Sequence, residues 1–124
     1  MLTQENIINV EKLSSGESQI FTLALDLLLQ CNLWEFEKTE GMLLIDEPDT
    51  HIHPDLQQRF AKFLVDLYQT HKFQMLISTH STSMLAALGQ FGNDKTSVIY
   101  LDYNEVQTAI QYDKYLRTLS TCLK

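Results

Sequence analysis

Asp46 and Glu47 close an apolar run, Met42 to Ile45, and stand directly before Pro48. A carboxylate at the end of a buried strand can hold the hydration shell of a Mg²⁺ ion, which prefers oxygen ligands and keeps several waters. Its neighbour projects differently and can orient or deprotonate a water that attacks a γ-phosphate. Phosphoryl transfer depends chiefly on positioning and charge stabilisation, so dividing these tasks between Asp46 and Glu47 suits it. An Asp-Glu pair is otherwise a common solvated turn; the apolar run and Pro48 set this one apart. His80 lies in Ile77-Ser-Thr-His-Ser81, at the end of the next apolar segment, where it can reach the same phosphate. Alone it is an ordinary polar residue. Ser78, Thr79 and Ser81 give it a small-residue, polar surround suited to an anion.

A third segment, Leu13-Ser-Ser-Gly-Glu-Ser-Gln19, opens an apolar helix. Its small residues let backbone N–H groups approach a phosphate at the positive end of a helix. Capping explains the same residues without any ligand: Ser14 or Ser15 can cap, with Glu17 or Ser18 answering in the first turn. The company of the other two segments favours a phosphate-sensing role. His51 and His53 have an i, i+2 spacing open to a metal reading, but no carboxylate or Cys set completes it. Surface-loop or interface histidines is the better reading. No Gly-x-x-x-x-Gly-Lys-Ser/Thr segment occurs in the 124 residues, so nothing in them cradles nucleotide phosphates in the usual way.

The elements that must position these groups alternate. From Ile20, the residues Leu23, Ala24, Leu27, Leu28 and Cys31 form one helical face, and Phe21, Leu25 and Leu29 add a second, so the helix is expected to be buried on several sides. Trp34 to Gly41 reads as a charged connection. Met42 to Ile45 reads as a strand buried on both faces. Pro54 starts a helix with Leu56, Phe60, Phe63, Leu64 and Leu67 on one stripe. Phe73 to Ile77 is expected to be a second strand, Ser81 to Leu88 a short helix, Gly89 to Lys95 a turn, and Ser97 to Leu101 a third strand. Val106 to Gln111 reads as a pairing strand and Tyr112 to Leu119 as a last helix. The expected class is α/β, a mainly parallel sheet flanked by helices. Chemistry in such sheets gathers at the carboxyl ends of strands, where Asp46, Glu47 and His80 fall.

Composition bounds the function. With 44% apolar and 20% charged residues, the chain reads as one globular domain or part of one. A net charge of −7 argues against this segment gripping a nucleic acid backbone, which needs clustered Lys and Arg. Cys31 and Cys122 lack metal-ligand spacing and read as two reduced thiols. No basic start followed by an apolar stretch is present, and no run is long enough to span a bilayer. A cytoplasmic protein is the expectation.

The motifs in order, Leu-Ser-Ser-Gly-Glu, then Leu-Leu-Ile-Asp-Glu-Pro-Asp-Thr-His-Ile-His-Pro, then Ile-Ser-Thr-His-Ser, resemble the ABC-type ATPase superfamily. The resemblance is closest to its non-transporter branch, the OLD-like, RecF-like and SMC-like ATPases of DNA repair and phage defence. It covers Leu13 to Ser81, about half of the chain. It implies a partial P-loop NTPase lobe in which residues 1–124 form the C-terminal part of the domain. Leu13 to Glu17 would be the signature, Met42 to Glu47 the Walker B strand, Asp49 to His53 the D-loop region, and His80 the switch histidine. Ser15 stands where transporters place Gly, and Glu17 where they place Gln.

In that family two domains sandwich two ATPs head to tail. By the resemblance, Asp46 would bind the metal, Glu47 and His80 would be catalytic on the ATP of their own subunit, and Ser14, Ser15, Gly16, Glu17 and Asp49 would contact nucleotide, the signature in trans. ATP and Mg²⁺ are the implied ligands, and a homodimer or a Walker A-bearing chain the implied partner. The Walker A strand, which the family sets between Phe73–Ile77 and Ser97–Leu101, would leave unpaired edges here that invite another chain. The expected function is ATP hydrolysis as one half of a dimerising ATPase, inactive alone, from a truncated product or a split enzyme. The rival is a non-catalytic interaction module that keeps the fold to dock a partner.

Overall fold

The computed structural model describes residues 10–71, 73–102, 105–106 and 110–111. A one-turn 3-10 segment, Val10–Lys12, leads into α1, Ser15–Glu37. A reciprocal cap starts α1. The Ser14 hydroxyl accepts the Glu17 N–H at 3.3 Å, and the Glu17 carboxylate accepts the Ser14 N–H at 2.8 Å. The helix runs past Trp34, where a connection was expected, because Trp34 packs inward. Its ring centroid lies 6.0 Å from that of Phe73, and the indole lies so close over Gly41 that no Cβ would fit there. Lys38 then ends the helix in the left-handed region, with φ 54° and ψ 39°. The charged connection shrinks to three residues, Lys38, Thr39 and Glu40.

β1, Gly41–Asp46, pairs in parallel with β2, Phe73–Ser78, in a register running from Gly41 opposite Phe73 to Asp46 opposite Ser78. The crossover between them is α2, Pro54–Thr70, with Pro54 at its start and the His53 imidazole Nδ1 accepting the Asp55 N–H at 3.3 Å. Of the expected stripe Phe60, Leu64 and Leu67 are buried, with Ala61 and Val65 beside them, while Leu56 and Phe63 are partly buried. Phe60, Ala61, Leu64 and Leu67 meet Ile20, Leu27 and Cys31 of α1, Ile45 of β1, Phe73 of β2 and Met84 of the next helix. Each fully buried aliphatic or aromatic side chain contributes about 1.5–3 kcal/mol by leaving water.

Two burial expectations are corrected. The second apolar face of α1 is largely open: Phe21 is partly buried but Leu25 and Leu29 are exposed, as are Leu28 of the expected first face, Leu33 and Phe36, the last to 86%. β1 alternates rather than burying both faces. Leu43 and Ile45 face the core, while Met42 and Leu44, with Leu76 of β2, are more than half or half exposed. Helices α1 and α2 cover one side of this sheet only, and among the described residues nothing lies over the other.

α3, Thr82–Gly92, is capped by the Ser81 hydroxyl, which accepts the Met84 N–H at 3.2 Å. It extends beyond Leu88 because Gly89 is buried within it, and the expected turn contracts to Asn93–Lys95. The expected third strand divides into β3, Ser97–Val98, and β4, Leu101–Asp102. β4 pairs with β5, Glu105–Val106, and β3 with β6, Ile110–Gln111, both antiparallel. Each short strand finds a partner in the chain just after it, so neither joins the parallel sheet. The expected helix at Tyr112 to Leu119 lies outside the described residues.

Candidate active site

The parallel register puts the ends of β1 and β2 side by side, and with them Asp46, Glu47 and His80. The Ser78 hydroxyl donates to Asp46 Oδ1. The Glu47 N–H is shared between the Ser78 carbonyl and hydroxyl oxygens, at 3.1 Å each. Ser78 therefore fixes both acids from the neighbouring strand. Glu47 has φ 44°, a left-handed conformation that an L-residue adopts at a cost of about 1–2 kcal/mol. That turn aims its carboxylate at His80, with Glu47 Oε1 3.1 Å from His80 Nε2. The pair stands in open water, the His80 side chain 90% exposed and that of Glu47 47%. At such exposure it adds little stability. What it supplies is a directed carboxylate beside a ring nitrogen.

From Glu47 the chain makes two tight turns, with Thr50 N–H donating to Glu47 O and Ile52 N–H to Asp49 O, both at 3.3 Å. His51 sits at φ 63°. Thr79 donates its hydroxyl to Asp49 Oδ1 at 2.7 Å. Asp49 is thus committed to holding the loop before His80. The small residues expected to surround an anion are bonded inside the protein instead: Ser78 to Asp46, Thr79 to Asp49, and Ser81 to Gln57.

Ser14 to Glu17 lies apart from this pair. The turn lines a cleft of about 460 Å³ with His51, His53 and Arg59. Gly16 packs so that a Cβ would stand 3.2 Å from the His51 carbonyl oxygen. Among the described residues no hydrogen bond or ion pair links Ser14 to Glu17 with Asp46, Glu47 or His80. Glu17 is spent on the cap, and the Ser14 N–H, then its hydroxyl, hold its carboxyl below the usual value of 4.5.

Could the site take Mg²⁺? One Asp46 oxygen bonds Ser78, leaving Oδ2. Among the described residues no group of three or more His, Cys, Asp or Glu could hold a metal ion. Mg²⁺ commonly binds through one or two carboxylates, several waters and substrate phosphates, so a single strand-end carboxylate fits that use.

Residues 3–86 match the family described as "AAA domain, putative AbiEii toxin, Type IV TA system". The chain belongs to this family. Three curated relatives lie near it. It is 34% identical over 80 residues to the Septu protein PtuA of Bacillus mycoides, covering 64% of this chain and 11% of that protein. It is 40% identical over 53 residues to the Old nuclease of Escherichia phage P2, covering 43% and 9%. To the "Retron Vc95 probable ATPase" of Vibrio cholerae it is 31% identical over 86 residues, covering 65% and 16%. The chain thus spans at most 16% of the length of these relatives. A solved structure from work on ATP-driven dimerisation and DNA-stimulated activation of SMC ATPases superimposes with a TM-score of 0.56 at 19% identity. It covers 93% of this chain and 65% of that one. The fold is that of a partial P-loop NTPase lobe, and the family is one of AAA-type ATPase domains. No helix among the described residues is long and apolar enough to cross a membrane.

Sequence reasoning missed Gln57 and the role of Ser78. For Gln57 there was a signal: it falls on the buried stripe of α2, three residues before Phe60, where an amide must find partners. Ser78 gave none, since its partners are set by strand register.

Proposed function

We propose that residues 1–124 are the C-terminal, catalytic part of an ATPase domain that closes around ATP with a second ATPase unit. What carries this reading is the Glu47–His80 pair, 3.1 Å apart at the ends of two parallel strands, beside a strand-end Asp46. In it, Glu47 orients and deprotonates the attacking water, and His80 holds that carboxylate and meets the γ-phosphate. Asp46 receives Mg²⁺, which when bound neutralises charge on the phosphate oxygens. Ser15 and Gly16 present backbone N–H groups, and Ser14 its hydroxyl, from the start of α1 to a nucleotide held by the partner, while Glu17 closes the cap on Ser14 and Asp49 holds the Thr79–His80 loop. The site stands at the carboxyl ends of the strands, where open α/β sheets bind ligands. The named relatives, a Septu protein, a phage nuclease and a retron ATPase, support a setting in phage defence or DNA repair, with the effector or nucleic acid engaged outside this acidic segment. A cytoplasmic location accords with that setting.

The test is Glu47→Gln in the natural full-length protein. ATP binding is expected to persist while turnover falls by at least about a hundredfold. Hydrolysis at the parent rate would remove Glu47 from the base role. A second reading, a non-catalytic docking module, draws on the absence of a Gly-x-x-x-x-Gly-Lys-Ser/Thr segment from these 124 residues. Under it, neither Glu47→Gln nor His80→Ala changes any rate.

A further inference from the structure

Gln57 is a buried polar side chain, 8% exposed, in the first turn of α2. Its amide group reaches three places. Nε2 donates to the carbonyl oxygens of Asp49 at 3.2 Å and Ile52 at 2.9 Å. Oε1 accepts the Ser81 hydroxyl at 2.6 Å. The two carbonyls can only accept, which fixes the amide's orientation. Ser81 in turn caps α3 by accepting the Met84 N–H, and its own N–H donates to Thr79 Oγ1 at 3.0 Å. Thr79 closes the circuit on Asp49. His80 sits between the two tied residues, and its own side chain is exposed.

We infer that Gln57 is a positioning residue for hydrolysis: it locks the Asp49–Ile52 loop to the β2–α3 loop and so holds His80 at Glu47. The signature turn rests on the same loop, because Gly16 packs on the His51 carbonyl and on Ile52. Movement of Ser14 to Gly16 against a partner's nucleotide is transmitted through Ile52 to Gln57 and from there to the His80 loop. A buried amide bonded on three sides resists that movement as one unit. The inference rests on the proposed roles of Glu47 and His80.

Its test uses the natural full-length protein with three variants read side by side: Gln57→Met, Thr79→Val and Glu47→Gln. Gln57→Met keeps volume and removes every amide bond; Thr79→Val keeps shape and cuts the second tie. Both are expected to lower kcat roughly tenfold to a hundredfold. KM for ATP is expected to stay within about twofold, and a melting temperature within a few degrees of the parent's separates the fall in kcat from loss of folded protein. The double variant is expected to fall no further than the worse single one, since both cut one linkage. Should Gln57→Met prove too unstable to assay, Thr79→Val carries the same expectation. A parent-like kcat in either variant, with Glu47→Gln inactive, overturns the positioning role alone. Parent-like turnover in Glu47→Gln overturns the proposed chemistry and this inference with it.

Discussion

Glu47 combines a strained backbone with an exposed carboxylate, and folding gains nothing from either. Gly at this position would accept φ 44° without a Cβ penalty. Glu47→Gly is therefore expected to leave stability unchanged or raise it by up to about 1 kcal/mol, measured by denaturant melting, while hydrolysis disappears. A clear loss of stability would show that the side chain supports the fold. Cys31 is the opposite case, 2% exposed, with burial pushing its thiol pKa above the ordinary value. Its alkylation at mild alkaline pH is expected to follow global unfolding, so labelling in native buffer at the rate of a free thiol would contradict the packing described. Asp46, Glu47 and His80 were legible because each follows an apolar run that announces a strand. The two strands' relative register is not written locally, so Ser78's hold on both acids appeared only in the fold.

Among the elements, α1 shows how far capping reads through to structure. The Ser14–Glu17 cap was visible in four residues and formed as spaced, although the sequence left Ser15 and Ser18 as alternatives. Ser14→Ala is expected to destabilise by about 1 kcal/mol. Because Glu17 has a lower pKa folded than unfolded, the cap's contribution is fully present above the unfolded value near 4.5. It is lost as pH falls through the lower, folded value. Circular dichroism should show a step of helix loss in that acid window, and Ser14→Ala should flatten it. An unchanged step would place the proton elsewhere. The far end of α1 was not legible, because what extends it past Trp34 is contact with Gly41 and Phe73. The same limit applied to β3 and β4, whose apolar residues suit a strand without naming its partner.

At the scale of the whole molecule, the described residues place a packed core between two exposed apolar surfaces. Leu64 and Met84, both at 0% exposure, mark the core, and Leu64→Ala is expected to cost about 2–5 kcal/mol in a melting experiment. Leu29 and Phe36 on the outer face of α1 mark one such surface, and Met42, Leu44 and Leu76 on the sheet mark the other. Surfaces of that kind bind apolar dyes and other chains. The 124-residue chain is expected to enhance the fluorescence of an apolar dye, and Leu29→Lys with Phe36→Lys to reduce the signal; an unaltered signal would assign dye binding to the sheet face. Hydrophobicity told the sequence reader that these residues belong inside something, and it could not say what. Trp34 has a further consequence. It is the only tryptophan, and it is wedged where α1 meets the start of β1, its ring 6.0 Å from that of Phe73. The chain thus carries its own optical gauge: unlabelled emission, shifting red as the indole meets water, records whether the helix that Ser14 caps is still seated on the strand that ends at Asp46.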